Sequence, residues 1–420
     1  MKIKNIKARE ILDSRGNPTI EVDCITEEGV FTASVPSGAS TGAREAYELR
    51  DHNHRYGGRG VLKAIKNVNE IIAPRLIGMD CTNQKEIDET MIKLDGTSGK
   101  YNLGSNGIVG ISMAVCRAGA KAKNLELYEY IAELFGNEDL KMPNPAFNVI
   151  NGGAHADNGL DFQEFMITTT GESFRESLQM GSEIYYKLKK FLKNSYPGFA
   201  INVGDEGGFV PPIEVPEVAL GLMVKAIDDS EYTGKANIIL DIASSQFYKK
   251  EKEVSEGYYG LRMGVFSVAD MLNYYSDLVK CYPIIGLEDP FSEEDWKGFE
   301  KLTNRLGDKI MIIGDDLLVS NSSIIKEAQA KKACNGAILK INQVGTVTEI
   351  LEAAKVCKES KIKTIVSHRS GETCDSFIAD LAVGISSDYI KSGAPCRGER
   401  LAKYNRLCRI EEKINNTLKK

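Results

Sequence analysis

The 420-residue sequence predicts an α+β N-terminal cap domain followed by a β/α barrel. Three observations carry that prediction. Short apolar runs separated by helix-length segments recur through the second part of the chain. Each of these runs closes on a charged or hydrogen-bonding residue. The first part has another rhythm, with an alternating hairpin pattern and a stretch of small residues.

In the N-terminal part, Ile20, Val22 and Cys24 alternate with Glu21 and Asp23. A turn at Glu27-Glu28-Gly29 leads into residues 30–35, the pattern of a β-hairpin. A small, flexible loop follows, Ser37-Gly38-Ala39-Ser40-Thr41-Gly42, and then a helix-like segment at 45–50. The loop reads as a hairpin exit or as a lid over a substrate. Residues 61–76 carry apolar side chains at helical spacing. Residues 108–122 include Ala114, Ala118, Ala120 and Ala122, as in a helix packed closely on its neighbours. Met142-Pro143-Asn144-Pro145 breaks the pattern. It divides a cap of residues 1–135, which carries the 37–42 loop, from a barrel of residues 143–420.

Beyond the break, Ile238-Ile239-Leu240 ends at Asp241 and Ile284-Ile285-Gly286-Leu287 at Glu288. Residues 310–313 and Gly314 lead into Asp315, and Ala337-Ile338-Leu339 ends at Lys340. Thr364-Ile365-Val366 leads to Ser367-His368-Arg369, and Tyr389-Ile390 ends at Lys391. From Asp241 onward the spacings are 47, 27, 25, 28 and 23 residues, and the last four suit one strand, one helix and two loops. Runs too apolar to alternate belong to parallel strands buried on both faces. No G-x-G-x-x-G or G-x-x-x-x-G-K-[ST] fingerprint follows any run, which argues against a doubly wound nucleotide fold. In a β/α barrel the strand ends converge on one mouth and carry the chemistry.

With 42% hydrophobic and 27% charged residues the chain matches an ordinary globular protein, which excludes collagen-like, disordered and disulfide-scaffold classes. A net charge of −6 disfavours nucleic acid as a partner but allows a local basic pocket for a small phosphorylated substrate. The nine cysteines are odd in number and form no C-x-x-C pair, so they read as reduced thiols in a cytoplasmic protein. The N-terminus lacks the apolar run of a signal peptide, and no uninterrupted run of ~18 apolar residues suggests a membrane span.

Asp241, Glu288 and Asp315 close three consecutive runs. Carboxylates crowded at one mouth repel, so such a site holds cations or raises a pKa, and all-oxygen donors favour Mg²⁺, Mn²⁺ or Ca²⁺. Each could instead be a surface acid or a helix N-cap. Lys340 and Lys391 can serve as base or anion partner, since a lysine among other cations loses its proton more readily. Arg369 can grip a phosphate or carboxylate in bidentate fashion. Further candidates are His155 after a glycine-rich loop, Glu164 within an apolar stretch, and Glu206 between glycines. A glutamate sharing its site with a second carboxylate has a raised pKa and can act as an acid. His52 and His54 read as surface residues without a metal role.

Together these segments resemble the enolase family, in its bacterial form. The motifs are Asp13-Ser14-Arg15-Gly16-Asn17-Pro18, the 37–42 loop, Gln163-Glu164-Phe165-Met166-Ile167, Gly204-Asp205-Glu206-Gly207-Gly208, Glu288-Asp289-Pro290-Phe291 and Lys340-Ile341-Asn342-Gln343. Ser367-His368-Arg369-Ser370-Gly371-Glu372-Thr373 and Glu399-Arg400-Leu401-Ala402-Lys403-Tyr404-Asn405 complete the family order over essentially the whole chain. The resemblance implies a TIM-like barrel and the Mg²⁺-dependent interconversion of 2-phosphoglycerate with phosphoenolpyruvate and water. It implies two Mg²⁺ per active site, the first held by Asp241, Glu288 and Asp315 and the second by substrate oxygens and Ser40. It further implies that Lys340 takes the C2 proton, that Lys391 holds the substrate carboxylate, and that Glu206, paired with Glu164, protonates the leaving hydroxyl. Arg369 and Ser370 would contact the phosphate, with His155 and His368 as active-site histidines. A homodimer or a larger ring of dimers is also implied.

Departures from the family pattern are Gln246, Cys374, Cys396, Gly398 and Gly107, none of them on a residue given a catalytic role. Two other readings stand beside this one. One is a related enzyme abstracting a proton beside another carboxylate. The other is a secondary cell-surface binding role through Lys419-Lys420, against which stands a plain solvated tail.

Overall fold

A computed structural model describes residues 1–39, 42–156, 158–250 and 257–417. In the cap, β1 (Asn5–Leu12), β2 (Pro18–Thr26) and β3 (Gly29–Ser34) form one antiparallel sheet in chain order. The β2–β3 hairpin is the one the alternation predicts. β1 escapes the sequence pattern because it is rich in Lys, Arg and Glu and fully buries only Ile6 and Ala8. The helix Ser105–Ala122 lies on β2 and β3. Its small residues let it approach closely, since a Cβ on Gly110 would meet Val22 Cγ2 at 2.7 Å.

The segment 45–50 is not helical. Its backbone N–H groups bond elsewhere: Ala46 to the Gln343 carbonyl (2.8 Å), Tyr47 to the Gly99 carbonyl (2.8 Å) and Leu49 to Asn106 Oδ1 (3.2 Å). Those tertiary acceptors replace the i−4 carbonyls of a helix.

The barrel is closed by β4 (Asn144–Asn151), β5 (Glu164–Thr169), β6 (Ala236–Asp241), β10 (Ile284–Glu288), β11 (Met311–Gly314), β12 (Gly336–Leu339), β13 (Lys363–Ser367) and β14 (Tyr389–Lys391). A small separate sheet, β7 (Tyr248–Lys249), β8 (Tyr258–Leu261) and β9 (Gly264–Phe266), is inserted between β6 and β10. Ala146, Met166, Ile239, Ile313, Ile338 and Ile365 pack inside the barrel as a cluster of their own. An outer core joins the strands to the surrounding helices.

The expectation of uniformly parallel strands needs one correction. β5 runs antiparallel to both β4 and β6. Among its described residues the short connection from β4 holds only the single turn Gly153–His155, too little for the crossover helix that parallel pairing needs. The reversal brings the first residue of β5 to the end where its neighbours finish.

The cap is tied to the barrel. Ser37 and Gly371 exchange backbone hydrogen bonds of 2.7 and 2.8 Å. Arg117 forks onto Asp375 at 2.8 and 2.7 Å. The buried Asp88 accepts from Ser112, Gln84 and both the backbone N–H and hydroxyl of Thr348. Among the described residues no helix is long and apolar enough to cross a membrane. All nine cysteines are free; five are buried, while Cys281 and Cys374 are exposed rather than in the core.

Candidate active site

Strand register builds the site. Asn151 pairs with Glu164, Glu164 with Asp241 and Asp241 with Glu288, so three acids stand side by side at one end of the barrel. Asp315 follows the last residue of β11. Lys391 ends β14 and reaches across the mouth. Its Nζ lies 2.9 Å from Glu164 Oε2, 3.2 Å from Asp241 Oδ2 and 2.9 Å from each oxygen of Glu288. Burial works against this ammonium, but Glu164, Glu288 and Asp241 outweigh it and hold its pKa well above the usual lysine value. Burial, with Asp241 beside it, pushes Glu288 well above the ordinary carboxyl range.

Lys340, just past β12, pairs with Asp315 Oδ2, and Gln343 Nε2 donates to Asp315 Oδ1 at 3.0 Å. Burial disfavours the charge of Asp315, yet Lys340 and Lys391 more than offset it and lower its pKa. The neighbouring Asp289 sits at φ 41 with a buried carboxylate that accepts the N–H groups of Asp315 (2.9 Å) and Asp316 (2.8 Å). It thereby fixes the turn after β11.

Glu164 also belongs to a second acid pair, with Glu206. His155 Nδ1 lies 3.4 Å from Glu164 Oε1 and 3.6 Å from Glu206 Oε1. Asn148 Nδ2 donates to Glu206 Oε2 at 2.8 Å, and His368 Nε2 stands 3.7 Å from the same oxygen. Burial and the nearby Glu206 push Glu164 up to about 7. Burial acts on Glu206 in the same sense, but His155, His368, Arg400 and Lys391 override it and keep Glu206 well below the carboxylate norm. The two carboxyls titrate as a coupled pair, in which Glu164 is pushed towards the protonated form and Glu206 towards the ionised one.

Beyond it, Arg369 forks onto Glu45 at 2.9 and 3.2 Å and donates to Asn342 Oδ1 at 3.1 Å. Ser370 Oγ accepts the Ala39 N–H at 2.7 Å and faces Arg15 Nη1 at 3.4 Å.

The donor chemistry fits a hard divalent cation. Asp241, Glu288 and Asp315 offer only oxygen, and Asp289, Asp315 and Asp316 each present an oxygen within 4.8 Å of the others. The structure thus gathers at one mouth Glu164, Glu206, Asp241, Glu288, Asp315, Lys340, Lys391, His155, His368, Arg369 and Ser370. Ser40 and the tail Lys419-Lys420 lie outside the described residues. His52 and His54 are exposed and remote from this mouth.

Two family models cover most of the chain: "Enolase, N-terminal domain" over residues 3–131 and "Enolase, C-terminal TIM barrel domain" over residues 139–419. The chain belongs to the enolase family. It is 53% identical to "Enolase B" of Dictyostelium discoideum, covering 99% of this chain and 95% of that protein. It is 51% identical to "Enolase 1" of Entamoeba histolytica (99% and 97%) and 50% identical to "Enolase" of Solanum lycopersicum (99% and 96%). Its function is that of a glycolytic enolase, a phosphopyruvate hydratase. The relatives named come from amoebae and a plant, and they lend no support to a bacterial subtype.

Several residues of this candidate site carry no role from sequence reasoning. Asn148 and Asp289 orient Glu206 and the Asp315 turn, and Glu45 occupies the Arg369 fork. Arg400, within the 399–405 segment, has the sequence character of an ordinary charged helix residue. Gln246, one of the departures, donates to Gln163 Oε1 at 2.6 Å, and Gln163 Nε2 in turn donates to Asp241 Oδ2 at 3.3 Å.

Proposed function

We propose that this mouth performs the dehydration of 2-phosphoglycerate through the following residue roles. Lys340 takes the C2 proton, so the C–H electron pair delocalises into the substrate carboxylate held against Lys391. Loss of hydroxide from C3 then forms the C2–C3 double bond, and the Glu206/Glu164 pair supplies the proton that turns hydroxide into water. Glu164 stores that proton at rest and Glu206 delivers it. Arg369 and Ser370 hold the phosphate, with His155 and His368 flanking the acid pair.

Asp241, Glu288 and Asp315 would hold Mg²⁺, which supplies positive charge against the doubly charged intermediate. Two ions per site, the second completed by Ser40 and substrate, belong to the same reading. A neutral lysine is needed for the first step, and relief of the Lys340–Asp315 pair when Asp315 has another cation to serve makes that form accessible.

The observation that supports these roles is the ladder Glu164–Asp241–Glu288 gathered round Lys391, with Lys340 on Asp315 beside it. Lys340, just past β12, and Glu206, in the 204–208 turn, then reach one pocket from different segments, so a base and an acid are both at hand. We place the division between cap (1–135) and barrel (143–420) at the Met142-Pro143 break. A homodimer or ring of dimers in the cytoplasm completes the proposal, with secondary surface presence tested by deleting Lys419-Lys420 and measuring adhesion.

The decisive assay couples dehydration of 2-phosphoglycerate to product detection, with and without Mg²⁺, for the parent and Lys340→Ala. Mg²⁺-dependent turnover in the parent should fall by about 10³-fold or more in the variant. Equal rates would remove Lys340 as the base. Turnover of an unphosphorylated acid with none of 2-phosphoglycerate would move the substrate assignment elsewhere.

A further inference from the structure

The C-terminal helix Gly398–Thr417 begins beside the active site, and its Arg400 is fully buried. A buried guanidinium is costly unless its N–H groups find acceptors, so the destinations of its donors are informative. Nη1 points at His368 Nδ1 (2.6 Å) and at the Arg369 carbonyl (2.6 Å). Nη2 donates to the carbonyls of Asp205 (2.9 Å) and Ser370 (2.7 Å). Four contacts from one planar fork thus reach the two loops that carry Glu206 on one side and His368, Arg369 and Ser370 on the other. The stem is held by Gly393, at φ 71, where a Cβ would come within 3.0 Å of Arg400 Cδ.

An arginine nitrogen only donates, so His368 Nδ1 must accept, and the ring proton of a neutral His368 lies on Nε2. A second proton would set N–H against N–H across 2.6 Å beside a permanent cation. We propose that Arg400 is a positioning residue, which locks His368 as the Nε2–H tautomer facing Glu206 and holds both loops in one frame. This rests on the assignment of Glu206 to proton delivery and deepens it. Glu206 Oε2 then accepts from Asn148 Nδ2 and is faced by His368 Nε2–H at 3.7 Å, which leaves Oε1, on the His155 side, as the oxygen that exchanges the proton.

The test has a spectroscopic arm and a kinetic arm. The chain has four histidines, so ring ¹⁵N correlation spectra are sparse, and His368→Gln identifies the His368 signals. In the parent, His368 should carry one proton, on Nε2, from pH 6 to 9. An Nδ1–H tautomer or an imidazolium at pH 7 overturns the proposal, whatever the enzyme turns over. In Arg400→Met the tautomer should mix. Elimination should drop about 10²-fold, as for a misplaced catalytic group, while solvent exchange of the C2 hydrogen persists. An unchanged His368 spectrum, or exchange and elimination falling together, overturns the positioning role. If Arg400→Met does not fold, Arg400→Lys decides: it keeps the charge without the fork and should recover less than about a tenth of parent elimination. Full recovery refutes the fork.

Discussion

Replacing Lys391 by methionine keeps most of the side chain and removes the one ammonium that touches four oxygens of three buried carboxylates. At an effective dielectric of ~20, each contact near 3 Å represents about 5 kcal/mol of gross attraction. Desolvation of the ions cancels much of that sum, and loss of one partner from a buried ion pair typically costs about 3–5 kcal/mol. The lower end applies here, because Glu164 and Glu288 already bind protons readily and can neutralise themselves. Urea denaturation in EDTA at pH 8 should therefore show Lys391→Met less stable than the parent by about 3 kcal/mol. Added Mg²⁺ should shrink the deficit, since a divalent cation bound by Asp241 and Glu288 would replace the countercharge that the variant lacks. The sign with pH is fixed as well. The folded pKa of Lys391 is raised, so its contribution is present below the unfolded lysine value and is lost only as pH rises through the folded one. Between pH 6 and 9 the lysine stays charged, and the deficit should grow with pH as the carboxylates ionise. Equal stabilities in EDTA, or a deficit that Mg²⁺ leaves untouched, would refute this account of the mouth.

Glu206→Gln should lower elimination by about 10²–10⁴-fold, the usual worth of a positioned acid, while C2 hydrogen exchange survives in a deuterium-incorporation assay. Arg369→Lys keeps the charge but loses the fork, so KM for 2-phosphoglycerate should rise by about tenfold or more, with a smaller change in kcat, in steady-state kinetics. Burial pushes Asp88 up to about 6 in spite of its four donors. Its folded pKa is raised, so its contribution is complete below about pH 4 and is lost as pH rises towards 6. Denaturation of Asp88→Asn and parent across pH 4–7 should show the difference shifting in favour of the variant by up to about 3 kcal/mol; a constant difference would argue that the donors keep Asp88 ionised throughout.

Six barrel strands and their terminal residues were legible because each is a buried apolar run closed by a polar residue, a pattern that needs no tertiary information. What stayed hidden depends on pairing. Glu164 opens its strand rather than closing it, so only the antiparallel register with Asn151 and Asp241 explains why it reaches the mouth. β1 carries a charged sequence whose strand state comes from its partner β2. The segment 45–50 has helical propensity that tertiary hydrogen bonds override. Arg400 looks like any charged helix residue until its acceptors, in loops up to 195 positions away, are seen.

The order of charges along the chain has a physical consequence for the barrel itself. The acids Glu164, Glu206, Asp241, Glu288 and Asp315 precede the cations Lys340, Arg369, Lys391 and Arg400. Lys391 meets its three carboxylates only when β14 joins β4 and closes the ring. An open sheet lacking β14 would bury Glu164, Asp241 and Glu288 without that ammonium, and such uncompensated burial is strongly unfavourable. Unpaired acids would instead stay solvated or protonated, so the electrostatic stabilisation of the mouth is available only to the completed barrel. The last barrel strand thus supplies the countercharge that Glu164, Asp241 and Glu288 share in the closed ring.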